Sequence, residues 1–196
     1  MTMRATVLTL CFVLLLPAAL PAQAPPVSYL GLYADEGRTG WCVSGTAPYP
    51  VDVWVYMKLG EIGAWGYSFD LEVPDNVEVL SMELNRYEGP ILCLPPGCPD
   101  GIYGTFNLCF HPPRFDWIWI VHATVSVTDG NPSTIRIVPN PDDGTIRVEN
   151  CDFEYENAPV LTNLYVNYPP SASECGSLPV QTSTWGAIKG MYETAP

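Results

Sequence analysis

Residues 51–59 read VDVWVYMKL, and residues 65–73 read WGYSFDLEV. In the first run Val51, Val53, Val55, Met57 and Leu59 alternate with Asp52, Trp54, Tyr56 and Lys58. In the second, Trp65, Tyr67, Phe69, Leu71 and Val73 alternate with Gly66, Ser68, Asp70 and Glu72. A period of two puts each apolar set on one face of an extended chain. Both runs are too short and too rich in β-branched and aromatic residues to read as helices. Joined by Gly60-Glu61-Ile62-Gly63, they read as an antiparallel pair. Each has one face on a core and the other turned to solvent or to a partner.

Outward from this pair the same signal repeats. Pro74-Asp75-Asn76 makes a turn into a strand over 77–85, whose apolar parity slips between Val79 and Leu80, as at a β-bulge. Residues 86–101 hold prolines, glycines and two cysteines and read as a stapled loop. Alternation resumes over 103–110. Along 116–128, Trp117, Trp119, Val121, Ala123, Val125 and Val127 fall on one face. Turns at Asp129-Gly130-Asn131-Pro132 and Pro139–Gly144 lead to strands at 134–138 and 145–150, and a last one runs over 161–167. About eight or nine strands with Gly/Pro punctuation predict an all-β protein, an antiparallel β-sandwich spanning 27–168. A Pro/Ser-rich connector follows over 169–181. Residues 182–196 depart from the pattern, with Trp185, Ile188, Met191 and Tyr192 at helical spacing. Gly186 and Gly190 weaken that short C-terminal helix by about 1 kcal/mol each. It therefore needs a surface to pack on, or serves as a sorting or partner-binding tag.

The start of the chain sets the expected compartment. Arg4 precedes an uncharged apolar run from Ala5 to Leu20, and Ala22-Gln23-Ala24 offers small residues for cleavage. Residues 1–22 thus read as a signal peptide, with cleavage after Ala22 or Ala24. The mature chain is expected to be secreted, periplasmic or at the cell surface, without a transmembrane segment. The 8 Lys and Arg against 21 Asp and Glu, a net charge of −13, argue against nucleic acid and anionic membranes as partners. Beyond Cys11 in the leader, Cys42, Cys93, Cys98, Cys109, Cys151 and Cys175 read as three disulfides, with fifteen possible connectivities. A zinc site is the rival, but no C-x-x-C pair occurs, and His111 and His122 lack ligand spacing.

The order of segments is similar to a known family. Pro50-Val-Asp-Val-Trp-Val-Tyr56, then Gly66-Tyr-Ser-Phe-Asp-Leu-Glu-Val73, then Asn76-Val-Glu-Val-Leu80 resembles the opening of cohesin-like domains. The hydrophobic strand Trp119–Thr128 lies where that family has a late strand, so the likeness covers roughly 28–150. Two features depart from it: the cysteine-rich stretch at 86–113, and Val73-Pro74-Asp75 in place of the family's Tyr-Asp. Trp185-Gly-Ala-Ile-Lys-Gly-Met-Tyr192 resembles endings of exported bacterial proteins. The resemblance implies a nine-stranded jelly-roll sandwich, cohesin-like or carbohydrate-binding-like, that docks other molecules. No partner-binding position of the family maps onto this chain.

Catalytic groups are sparse. His111 precedes Pro112-Pro113, His122 falls on the solvent-facing parity of its strand, and no Gly-x-Ser-x-Gly is present. Asp129, Asp142 and Asp143 lie in turns and are the candidate ligands of a structural calcium; ordinary turn chemistry accounts for them as well. No other cofactor is expected. Trp54 and Tyr56, beside Asp52 and Lys58, lie opposite the valine stripe and form the candidate binding surface, unless the tail or the cysteine-rich loop covers them. The expected function is a non-catalytic binding or cell-surface assembly module with a protein or glycan partner. A carbohydrate-binding module is the alternative, and a hydrolase comes third.

Overall fold

Why the chain stacks as two sheets follows from where its valine stripes can be covered. The computed structural model describes residues 27–85 and 101–175, and twelve strands lie among them. They are β1 (Tyr29–Tyr33), β2 (Cys42–Val43), β3 (Tyr49–Lys58), β4 (Ala64–Glu72), β5 (Val77–Leu84) and β6 (Ile102–Phe110). These are followed by β7 (Trp117–Val127), β8 (Ser133–Val138), β9 (Arg147–Glu149), β10 (Tyr155–Asn157), β11 (Val160–Thr162) and β12 (Leu164–Val166). One sheet has the order β11-β1-β3-β7-β5. The other runs β10-β9-β4-β8-β12-β2, with β6 also paired to β4. Val53, Val55 and Met57 of β3, Val121, Ala123 and Val125 of β7, Tyr67 and Phe69 of β4, and Ile135 and Ile137 of β8 form one buried cluster between the sheets.

The two runs that define the strands do not pair with each other. β3 is flanked by β1 and β7, whereas β4 lies in the opposite sheet between β9, β6 and β8. Alternation fixes which face is apolar, not which strand lies alongside. The crossing is made at two glycines. A Cβ on Gly60 would lie 2.8 Å from the Val27 carbonyl carbon, and Gly63, at φ +85°, would drive one to 2.1 Å from the Phe110 oxygen. Nor is the sandwich purely antiparallel, because β1 pairs with β11 and β12 with β2 in parallel. The bulge expected near Val79 is present: the register shifts between Val79 and Ser81, and Leu80 is turned out at 56% exposure.

A second correction concerns the second run. Tyr67 and Phe69 are buried as expected, Leu71 is half-buried against the core, and Gly66 and Ser68 are buried too. On the outer side of β4 the Ser68 hydroxyl donates to Asp143 at 3.2 Å, so that side is covered there as well. Trp65 leaves the core. The β4–β6 register shifts between Ala64 and Gly66, and Trp65 packs instead on Phe153, with ring centroids 5.5 Å apart.

Two disulfides hold the described chain. Cys42–Cys175 ties β2 to a 3-10 turn at Ser173–Cys175, and Cys109–Cys151 ties β6 to the turn after β9. The start of the expected connector is therefore stapled to the sandwich, and Trp41 donates its indole N–H to the Glu174 carbonyl at 2.9 Å. That 3-10 turn is the only helical element among the described residues. The leader at 1–22, the loop with Cys93 and Cys98, and the expected helix at 182–196 lie outside the described residues.

Candidate functional site

The outer face of the five-stranded sheet gathers three of the chain's six tryptophans. Across β3 and β7 the facing pairs are Asp52 with Thr124, Trp54 with His122, Tyr56 with Trp119, and Lys58 with Trp117. The sequence pattern placed Trp117 and Trp119 on the core face with Val121. In the structure Ile118 and Ile120 face inward instead, and both indoles are half-buried on the outside. The cause is a register shift: Val55 faces Val121, but Tyr56 faces Trp119, leaving Ile120 as the extra residue. A bulge reverses the parity of everything on one side of it. The unbroken apolar run Trp117–Val121 is the trace it leaves in the sequence.

The four rings and one imidazole are interlocked. Trp54 stacks on His122 with centroids 3.9 Å apart and planes 15° from parallel, and meets Trp119 edge-on at 5.7 Å. Tyr56 stacks loosely on Trp54 at 6.2 Å. His122 bonds Glu83 of β5 through Nδ1 at 2.8 Å and Asp52 of β3 through Nε2 at 3.2 Å. Asp52 also accepts from the Thr124 hydroxyl. Both imidazole nitrogens thus face carboxylates, and neither is left to activate a hydroxyl or thiol.

Tyr56 is not exposed as the alternation suggests; only 5% of it is accessible. The cover is neither the tail nor the cysteine-rich loop but the segment after β1. Arg38 lies over the Tyr56 ring at 5.1 Å and over Trp117 at 5.0 Å, the Tyr33 ring meets both at an edge, and the Tyr56 hydroxyl donates to the Glu36 carbonyl. Arg38 sits at φ 58° in a turn whose Asp35 carboxylate accepts from the Thr39 N–H. Burial pushes the Tyr56 hydroxyl above its ordinary pKa, with Arg38 opposing. Lys58 reaches Asp116 at 2.6 Å and also flanks Trp117. Nothing in the local sequence singles out Arg38.

The candidate calcium ligands are engaged elsewhere. Asp129 accepts from the backbone N–H of Asn131 and from the side chains of Asn76 and Asn131, which hold its carboxyl below the usual range. Burial raises the Asp143 carboxyl, but Thr145, Arg147 and Ser68 together bring it below the usual value. Asp142 accepts from the Tyr103 hydroxyl. Partial burial and that carboxylate push Tyr103 up to about 12. Asp129 and Asp143 each cap a turn, accepting from the backbone N–H two residues on. Among the described residues, one cluster brings three soft ligand atoms within 4.8 Å: Cys109, His111 and Cys151. Its two sulfurs are bonded to each other, which leaves no thiolate for a metal.

No protein-family model matches the chain, and no curated protein matches it. Among solved structures, a type I cohesin–dockerin complex from Clostridium thermocellum aligns at 12% identity and a TM-score of 0.47, covering 75% of this chain and 96% of that one. The sixth cohesin of scaffoldin B from Acetivibrio cellulolyticus, solved with a Cel5 dockerin, aligns at 15% identity and a TM-score of 0.45, covering 73% and 99%. A cohesin module of a Clostridium perfringens family 33 glycoside hydrolase aligns at 10% and 0.40, covering 72% and 96%. The likeness is one of architecture. This two-sheet sandwich carries two cysteine pairs and an indole-rich sheet face among its described residues.

Proposed function

We propose that this chain is a non-catalytic binding module of the exported or cell-surface space, and that it docks a protein through the outer face of its five-stranded sheet. The observation that supports this most is the row formed by Trp54, Trp119 and Trp117. These half-buried indoles lie on a rigid, bulged strand pair and are rimmed by Asp52, Glu83, Lys58 and Asp116. Apolar centres with charged rims are the usual anatomy of protein interfaces, and tryptophan is the residue most enriched at their energetic centres. Stacking on a sugar needs open ring faces. His122 already covers one face of Trp54, and this favours a protein over a glycan. Among the described residues no helix is long and apolar enough to cross a membrane.

The test compares the wild type with a Trp54→Ala/Trp119→Ala variant. Tyr56 is left intact because it is buried. Exported proteins captured by the wild type are purified and titrated calorimetrically against both forms. The expected result is saturable one-to-one binding, weakened at least tenfold in a variant that stays folded. Equal affinities would remove this face from consideration. Binding confined to a glycan array would move the reading to a carbohydrate-binding module, and turnover of a polysaccharide or peptide would overturn the non-catalytic assignment.

A further inference from the structure

The most exposed aromatic side chains of the described chain are on the opposite sheet. Phe153 is 63% exposed and Tyr155 62%. They occupy alternate positions in Asp152-Phe153-Glu154-Tyr155, the turn from β9 into β10, and carboxylates fill the positions between. Trp65, turned outward by the β4 bulge, meets Phe153 edge-on. Trp65 and Phe153 thus form a ring pair, Tyr155 projects two residues further along, and Asp152 and Glu154 are exposed beside them.

This turn is held rather than loose. The buried Asn150 side chain accepts from the N–H groups of Asp152 and Glu154, both at 3.0 Å. Asn150 N–H donates to the Glu154 carbonyl, and Phe153 N–H donates to the Asn150 carbonyl. Cys151 is bonded to Cys109 of β6. Phe153 adopts φ 63°, the left-handed region that a bulky side chain rarely occupies and that favours glycine. The sequence places there a phenylalanine that buries little of itself.

We propose that this turn is a docking site for a cationic polypeptide segment, with Phe153, Tyr155 and Trp65 receiving arginine or lysine side chains and Asp152 and Glu154 pairing with their charge. Guanidinium groups stack on aromatic rings, and the molecule already does this here. Arg147 lies 4.3 Å over the Tyr155 ring while paired with Asp143 at 3.0 Å. Charge selects the occupant: a chain at −13, with 8 basic residues against 21 acidic ones, is a poor partner for a second copy of itself. A basic segment meets both the rings and the carboxylates. Because the turn is already fixed, little order remains to be imposed on binding. This site is separate from the Trp54 face and does not rest on it.

Octa-arginine peptide is the probe, titrated calorimetrically into the full mature protein at low and at 0.5 M salt. The decisive variant is Phe153→Gly, which keeps the net charge and relieves the backbone. It is expected to bind octa-arginine at least fivefold more weakly while its melting temperature is unchanged or higher. Octa-lysine is expected to bind the wild type more weakly than octa-arginine, and the Trp54→Ala/Trp119→Ala variant to bind as the wild type does. Three results would each overturn the proposal. They are no binding by the wild type, equal affinity of Phe153→Gly, or a melting temperature lowered by that substitution, which would make Phe153 a structural residue.

Discussion

The two aromatic regions of this sandwich are built on opposite terms. On the five-stranded sheet, Trp54, Tyr56, Trp117 and Trp119 lean on one another, and Arg38 and His122 fill the gaps. On the other sheet, Phe153 and Tyr155 project from a turn whose rigidity comes from Asn150 and a disulfide rather than from the rings themselves. In the first region a ring contributes to the fold and to any contact at once. In the second the fold is secured mainly by the backbone and the disulfide, and the rings, touched by Trp65 and Arg147, stay largely exposed. Substitutions should separate the two.

The largest effect is expected from the staples. Replacing both members of Cys42–Cys175 by serine should cost about 5 kcal/mol, and of Cys109–Cys151 about 4 kcal/mol, since the first closes the longer loop. Urea unfolding measures both, and only loss of the second should loosen the Phe153 turn. Thiol titration of the native protein should find none of the six mature cysteines free. Phe69→Ala, in the core beneath β4, should cost about 3–5 kcal/mol by the same measurement. A loss below 1 kcal/mol would mean that the sheets are not packed on that ring.

Arg38→Ala sharpens the contrast at smaller scale. Taking the guanidinium off two rings should cost about 1 kcal/mol and shift tryptophan emission to the red as Trp117 becomes wetter. Unchanged emission would show that the segment after β1 does not cover this face. Phe153→Gly, by contrast, should leave stability unchanged or raise it by about 1 kcal/mol. The smallest effect concerns acid. Asp129 titrates below its unfolded value, so its contribution is complete above about pH 4 and is lost as pH falls through the lower, folded value. An Asp129→Asn variant should therefore lose less stability between pH 4 and pH 2 than the wild type does, as followed by thermal melts at each pH.

Strand existence and the apolar faces of β3 and most of β7 were legible because both lie in a sheet with one wet side, where alternation is clean. Neighbour relations were not. Val51–Leu59 and Trp65–Val73 look like a hairpin, yet the connection at Gly60–Gly63 carries the chain across the core. Short strands such as β2, β10 and β11, two or three residues long, carry too little pattern to be read. At the candidate site, Trp54 was placed correctly on the outer parity. Tyr56 was misjudged because its cover comes from Arg38, more than fifteen residues earlier in the chain. Trp117 and Trp119 were assigned to the core because one extra residue at Ile120 inverts the register, and local alternation cannot report a slip that only the partner strand reveals.

The Cys42–Cys175 bond has a mechanical meaning. Its cysteines are 133 residues apart in sequence, and all of β3 through β12 lies between them. Tension applied to the chain outside the two cysteines crosses the covalent bridge and bypasses the loop it closes. About 450 Å of extensible chain is thereby kept out of the load path. The rings of Trp54, Tyr56, Trp117, Trp119, Phe153 and Tyr155 lie within that shielded loop, whereas Tyr33 and Arg38, which cover Tyr56, lie outside it and take the load first.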